Sequence, residues 1–315
     1  MKIYFAPLEG ITGYVFRNAY HRTFETESNI IEKFFSPFIS PGVNQPLTPK
    51  ELRDIHPDNN EGICLVPQIL ANNPDDFLLA AKYIRELGYD EVNLNLGCPS
   101  GTVVAKRKGS GLLAEPVLLE RMLDKIYATT DMKVSIKTRI GKDSPEEFPE
   151  LMQIFEKFPI YELIVHPRIR SDFYKNTPNM EMFKLAYDKS VACDMKLCYN
   201  GDVLSKMDFQ RIKTDYPRVD SIMIGRGFLQ NPLLANEIVQ DTKLDIKKLK
   251  AFHDILVEDY TEVMSGEKPV LFKMKELWFY LIKSVDDTGK YAKKIRKVEK
   301  LSAYKEIVED LFQEL

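Results

Sequence analysis

A thiol closes a run of alternating amides in this chain: Asn93-Leu94-Asn95-Leu96-Gly97-Cys98-Pro99. Alternation with period two makes a strand with one polar face, and Gly-Cys-Pro ends it abruptly. A cysteine on such a turn can act as a general acid or as a nucleophile, depending on whether it keeps its proton. Taken alone, Cys98 reads equally well as a small buried packing residue. Polar groups close other short apolar runs as well: Gln68 in "PQIL", Lys137 in "SIKTRIG", His166 in "IVHPRIR" and Asn200 in "CYNGD". Lys137 is costly to bury without a partner, whereas His166 alone could be a satisfied structural histidine. Two closures combine glycine with charge, Asn200-Gly201-Asp202 and Gly225-Arg226-Gly227. Glycine lets backbone N–H groups approach an anion, a following helix N-terminus adds a favourable dipole, and Arg226 adds a charge-assisted bond. A phosphorylated ligand or cofactor is expected there.

These residues need a frame that brings them together. Strand patterns fall at Ile3–Ala6, Ile30–Lys33, Ile63–Ile69, Glu91–Asn95, Lys133–Lys137, Glu162–His166, Lys196–Tyr199 and Ser221–Gly225. Helical patterns lie between most of them, such as Pro74–Gly88, which opens on Pro-Asp-Asp and closes on glycine. Eight strands alternating with helices predict an α/β protein, a (β/α)8 TIM barrel with its active site at the C-terminal strand ends. Gln68, Asn95, Lys137, His166 and Asn200 would then point into one cup, with the phosphate site after strands seven and eight. The second unit is the least regular, because residues 24–58 are rich in proline and polar groups. From residue 241 the pattern is helical throughout. Residues 1–240 are therefore expected to form the barrel and 241–315 an all-helical bundle.

With 44 basic and 47 acidic residues the net charge is −3, so a nucleic-acid partner must meet a local patch. The best candidate is "KYAKKIRKVEK", residues 290–300, which carries Lys293, Lys294, Arg296 and Lys297. Lys273 and Lys275 could extend it, although a charge run is more often a solvated face. Trp278 reads as core or as RNA-facing. Four cysteines without a CxxC pair suggest neither a metal site nor a disulfide framework, and Cys64, Cys193 and Cys198 are expected to be packing residues. With no signal peptide and no apolar run long enough to cross a bilayer, a cytoplasmic monomer without metal or membrane partner is expected.

The segments "APLEGITGYVFR", "NLNLGCPSGTVVAKRKGSGLL", "KTRIG", "HPRIR", "NGD" and "GRGFLQNP" occur in the order found in tRNA-dihydrouridine synthases. The chain resembles that family from its first strand into its helical tail. The resemblance implies an FMN-containing barrel that reduces the C5=C6 bond of uridine in the tRNA D-loop with NADPH. It implies that Pro7, Leu8 and Glu9 line the flavin and that Gln68 hydrogen-bonds the isoalloxazine. Lys137 and His166 would contact the flavin, and Asn200, Gly201, Asp202, Gly225 and Arg226 would hold the ribityl phosphate. Cys98 matches the family's proton donor: hydride goes from the flavin to C6 of an extruded uracil, and a thiol protonates C5 from the opposite side.

The same resemblance has Asn95 holding the uracil carbonyls, with Arg139, Arg168, Arg170 and Tyr174 facing RNA. Ile169 departs from the threonine usual in the family's His-x-Arg-Thr-Arg. An acid must keep its proton, so Lys106 and Lys108 are required to stay away from Cys98. Two other readings stay open. One is a flavin barrel reductase of a free pyrimidine or another small substrate; the other is a non-catalytic tRNA-binding protein that uses the barrel as scaffold. The long helical tail favours RNA over a free pyrimidine.

Overall fold

The computed structural model describes residues 1–25, 29–42, 45–286 and 288–315. Eight parallel strands close into a barrel in chain order: β1 Lys2–Phe5, β2 Ile31–Ile39, β3 Leu65–Ile69, β4 Glu91–Leu96, β5 Lys133–Gly141, β6 Leu163–Ile169, β7 Leu197–Tyr199 and β8 Ser221–Ile224. Parallel strands covered on both faces read as short apolar runs, which is why all eight are visible in the sequence.

The bounds differ most at β2. Its far half carries Pro37, which cannot donate to a ladder, and the register with β3 shifts between Phe35 and Phe38. The Ser36 hydroxyl makes up the loss by accepting the Gln68 N–H at 3.0 Å. Strands β5 and β6 also run past Lys137 and His166, so "KTRIG" and "HPRIR" are strand ends rather than loops. The helix Pro74–Glu86 opens where the Asn73 side chain accepts the Asp75 N–H at 2.9 Å. It stops before Gly88, whose φ of +98° suits glycine.

Register decides what the barrel holds inside. Asn93 lies beside Ser135 and Asn95 beside Lys137, with Gln68 of β3 beside Asn93. Period two turns Glu91, Asn93 and Asn95 inward and sends Val92, Leu94 and Leu96 to the surrounding helices. The remaining interior is an apolar layer that includes Tyr4, Phe35, Val66, Ile164, Cys198 and Met223. Cys198 is thus a packing residue; Cys64 and Cys193 are exposed instead, at loop and helix ends that the core does not reach.

The tail folds as helices Ile246–Val263, Glu267–Leu281, Lys290–Lys297 and Leu301–Glu314. They pack around Trp278, which donates to the Tyr304 hydroxyl at 2.5 Å, and that hydroxyl meets His253 Nε2 at 2.6 Å. Trp278 is core, not RNA-facing. Phe252 joins the tail to the barrel, with ring centroids 5.6 Å from Phe16 and 5.1 Å from Phe24. The aromatic cluster continues through Tyr20 to Phe5 of β1 at 5.1 Å. Among the described residues no helix is long and apolar enough to cross a membrane.

Candidate active site

Cys98 is held from both sides of its loop. The Asn95 Oδ1 accepts the Gly97 N–H at 3.0 Å and the Cys98 N–H at 2.9 Å. The Cys98 carbonyl accepts the Ser110 N–H at 3.1 Å and the Ser110 hydroxyl at 2.8 Å. Gly109, at φ +56°, lies against this turn; a Cβ there would stand 2.8 Å from the Cys98 carbonyl, so glycine is required. The thiol is half-buried. Burial pushes its pKa up and Glu9 adds to the rise, while the Ser100 backbone, Arg139 and Lys137 pull it down by less. Lys106 and Lys108 are not among the charges that move it; Lys108 instead reaches the Ser40 hydroxyl at 3.3 Å. The thiol keeps its proton at neutral pH.

A second group converges a few strands away. Pro7, Leu8, Lys137, His166, Asn200, Gly201, Gly225 and Arg226 line a cavity of about 50 Å³. Burial and the neighbouring Arg139 lower the Lys137 pKa to about 8, and among the described residues no hydrogen bond offsets them. His166 is buried, and burial with Arg139, Lys137, Arg168 and Arg226 pushes its pKa well below the usual value, so it is neutral. The Arg168 Nη1 sits 3.2 Å from His166 Nε2. Guanidinium only donates, so Nε2 accepts and the imidazole proton sits on Nδ1. Asp202 takes Arg168 in two bonds of 3.1 and 2.5 Å and also pairs with Arg226. Asn200 fixes the turn by donating to the Met223 carbonyl at 2.8 Å.

Lys137, Arg139, Arg168 and Arg226 outnumber the carboxylates near them, Asp202 and Asp172, and leave a surplus of positive charge. The N–H groups of Gly201, Asp202, Gly225 and Arg226 meet no backbone acceptor among the described residues. Both features fit the phosphate of an FMN. Tyr174 covers the same cavity, its ring 6.0 Å from His166 and 4.4 Å from the Arg226 guanidinium. Ligand pockets typically start near about 300 Å³. The cavity as it stands is smaller than that, with Tyr174, half exposed, over it.

Several expected site residues have other work. Glu9 turns away from the pocket that Pro7 and Leu8 line and faces a cavity of about 470 Å³ between the barrel rim and the tail. Gln68 is buried, with its carboxamide held between Asn93 at 2.8 Å and Asn95 at 2.6 Å. One N–H of Gln68 remains for a ligand, and Asn95 likewise keeps one N–H. Arg139 does not face RNA: only 2% exposed, it donates to the carbonyls of Gly97 at 2.9 Å, Ile169 at 2.8 Å and Phe173 at 3.0 Å. Arg168 does not face RNA either: it is buried, and Asp202 pairs it on the side where Arg226 lies. Arg170 is part-buried and reaches the Pro99 carbonyl at 3.3 Å.

On the tail, Lys273 is tied to the Gly10 carbonyl and paired with Glu276, and Lys275 donates to the Val298 carbonyl. Lys293, Lys294, Arg296 and Lys297 are exposed on the helix whose Tyr291 and Ile295 are buried. Among the described residues the ion pair on that helix is Lys290–Glu314, which leaves those four cations unpaired. Sequence reasoning missed Phe272 and Phe279, which are 58% and 66% exposed on one helix, with Lys268 and Lys283 over their rings at 5.9 and 5.7 Å. The signal was present: each phenylalanine has a lysine four residues away, off the apolar stripe. Among the described residues no group of three or more His, Cys, Asp or Glu side chains could hold a metal ion.

The family model for dihydrouridine synthase matches residues 4–315. The tRNA-dihydrouridine synthase B of Shewanella oneidensis is 30% identical over 98% of this chain and 95% of its own length. A probable tRNA-dihydrouridine synthase 2 of Bacillus subtilis is 29% identical over 82% of this chain and 78% of its own. Among solved structures, morphinone reductase superposes with a TM-score of 0.54 at 12% identity, covering 80% of this chain and 90% of that one. That likeness concerns the barrel fold. A match running from β1 to the last tail helix, together with a proton-keeping Cys98 at the end of β4, places this chain in the dihydrouridine synthase family.

Proposed function

We propose that this chain is an FMN-dependent oxidoreductase that reduces the C5=C6 bond of a uridine in the tRNA D-loop, with NADPH as reductant. The observation that carries the reading is Cys98, half-buried and protonated, fixed over the strand ends close enough to feel the charge of an unpartnered Lys137. FMN, when bound, supplies the hydride for C6. Cys98 supplies the proton for C5, and the Asn95 and Ser110 bonds keep the thiol aimed while the base is held. Lys137 is a cation below pH of about 8 and balances negative charge on the cofactor. His166 offers a neutral Nδ1–H to the same group. Arg226, with the N–H groups after β7 and β8, holds the phosphate, and Asp202 keeps Arg168 and Arg226 in place.

In this reading residues 1–240 carry catalysis and 241–315 hold RNA, with the protein acting as a monomer in the cytoplasm where tRNA is modified. The basic face of Lys293, Lys294, Arg296 and Lys297, unpaired among the described residues, favours RNA over a free pyrimidine, which would need no such surface. The test is the visible spectrum of the purified protein, before and after anaerobic NADPH, then with unmodified tRNA. Bands that bleach with NADPH and return with tRNA support the reading. A protein that stays colourless after added FMN overturns it and leaves the RNA-binding scaffold.

The basic face makes its own prediction. Replacing Lys293, Lys294, Arg296 and Lys297 together by glutamine should weaken tRNA binding and flatten its salt dependence. Each lost phosphate contact lowers the slope of log K against log salt by about 0.7–0.9, so the four should lower it by about 3. An unchanged slope, from titrations at several salt concentrations, would return this helix to a solvated face.

A further inference from the structure

The amide that holds Cys98 is the upper end of a chain of directional hydrogen bonds running down the barrel interior. The Asn95 Nδ2 donates to Gln68 Oε1 at 2.6 Å, and the Gln68 Nε2 donates to Asn93 Oδ1 at 2.8 Å. The Asn93 Nδ2 donates to the Ser135 hydroxyl at 3.0 Å, and that hydroxyl donates to Glu91 Oε1 at 3.0 Å. Glu91 is anchored at the barrel floor by Lys33 Nζ at 2.6 Å. Asn93 and Ser135 are wholly buried and Gln68 nearly so, so no solvent can substitute for a missing partner.

A carboxamide can turn over, exchanging its donor and acceptor ends, and nothing local forbids it. Here both ends of the chain forbid it. At the floor, the Ser135 hydroxyl faces the Glu91 carboxylate and, at 3.4 Å, the Val92 carbonyl, both pure acceptors. It must donate downward and offer only lone pairs to Asn93. Asn93 must then present NH₂ to Ser135 and oxygen to Gln68, and Gln68 must present oxygen to Asn95. Asn95 is left with its oxygen toward the Gly97 and Cys98 N–H groups, which can only donate. Turning any one amide would set donor against donor and acceptor against acceptor in a dry interior.

We propose that Asn93, Ser135 and Glu91 are positioning residues: they set the carboxamide orientation of Gln68 and Asn95 and thereby hold the Cys98 loop in place. The catalytic meaning rests on the reading of Cys98 as acid; the wiring does not. Gln68 gains from it too, since the chain fixes its Oε1 toward Asn95 and its Nε2 toward Asn93, leaving one N–H of a set orientation to spare.

The test compares Ser135→Ala, which cuts the chain, with Ser135→Thr, which keeps the hydroxyl. Amide hydrogen exchange of the cofactor-free protein needs no turnover. In Ser135→Ala the Gly97 and Cys98 amides should exchange about tenfold faster, with the β5 amides of Val134 and Ile136 unchanged and wild-type rates restored in Ser135→Thr. Should the added methyl of Ser135→Thr overpack the interior, Asn93→Leu, which cuts the chain one step higher, should show the same local loss as Ser135→Ala. Peptide-resolved alkylation should also be faster at Cys98 in the cut variants and unchanged at the exposed Cys64. Unchanged exchange at Gly97 and Cys98, or an even loss along β4 and β5, would overturn the proposal and leave these residues as ordinary core. If the exchange result holds while the protein binds no flavin, the wiring stands and the oxidoreductase reading falls. With flavin bound, Ser135→Ala should slow reoxidation by tRNA, which depends on the Cys98 loop, more than it slows bleaching by NADPH.

Discussion

Cys98→Ala is expected to bind FMN and bleach with NADPH as the wild type does, and then to regain its colour with tRNA about 10²–10⁴-fold more slowly, the usual worth of a positioned general acid. The two halves separate because the groups proposed to face the cofactor, Lys137 of β5, His166 of β6 and Arg226 after β8, are not held by the Cys98 side chain. The loop should survive the change, since Asn95 and Ser110 hold backbone groups of residue 98 rather than its sulfur. The pH profile supplies the sign. An acid works below its pKa and fails as pH rises through it, and burial raises that of Cys98. The alkaline limb of tRNA-driven reoxidation should therefore lie above the ordinary thiol value of about 8.5, and vanish in Cys98→Ala. Reoxidation at the wild-type rate in Cys98→Ala would make the residue a packing group.

Arg139→Met should be the most destabilising single change at the strand ends, by about 3–5 kcal/mol. The guanidinium joins three carbonyls from two different loops, those of Gly97, Ile169 and Phe173, and no solvent reaches it. Methionine fills much of the volume and leaves all three acceptors unpaired. Lysine should rescue little, because an ammonium cannot fan out to three fixed carbonyls as a planar fork does. Urea unfolding of the cofactor-free protein measures the loss. A change below about 1 kcal/mol would mean that the loops hold themselves, in the range of an ordinary surface substitution.

How far the sequence carried depends on the kind of information each residue needed. The strands were legible because burial on both faces leaves an uninterrupted apolar run, and β2 was cut short in the reading because Pro37 interrupts one. The inward face of β4 was legible as period two. That Asn93 meets Ser135, and that Asn95 turns its oxygen to Cys98, depends on register between strands far apart in sequence. Arg139 and Arg168 announced their charge but not their partners, which are loop carbonyls and a carboxylate delivered by other strands. Lys273 and Lys275 are alike in this: their contacts with the carbonyls of Gly10 and Val298 are set by how the tail helix packs, not by neighbouring sequence. Residues whose work is set by their own neighbours, such as Cys98 between Gly97 and Pro99, could be read directly.

The packing of Phe252 against Phe16 and Phe24 has a consequence for how the chain acquires its shape. Closing β1 onto β8 already joins opposite ends of the barrel sequence, and covering the first helix waits for a residue made later still. During synthesis the aromatic face of Phe16, Tyr20 and Phe24 stays uncovered until the tail has left the ribosome. Contacts of such long sequence separation slow the final step and expose apolar surface meanwhile. A fragment ending at residue 240 would leave that face without Phe252 to cover it.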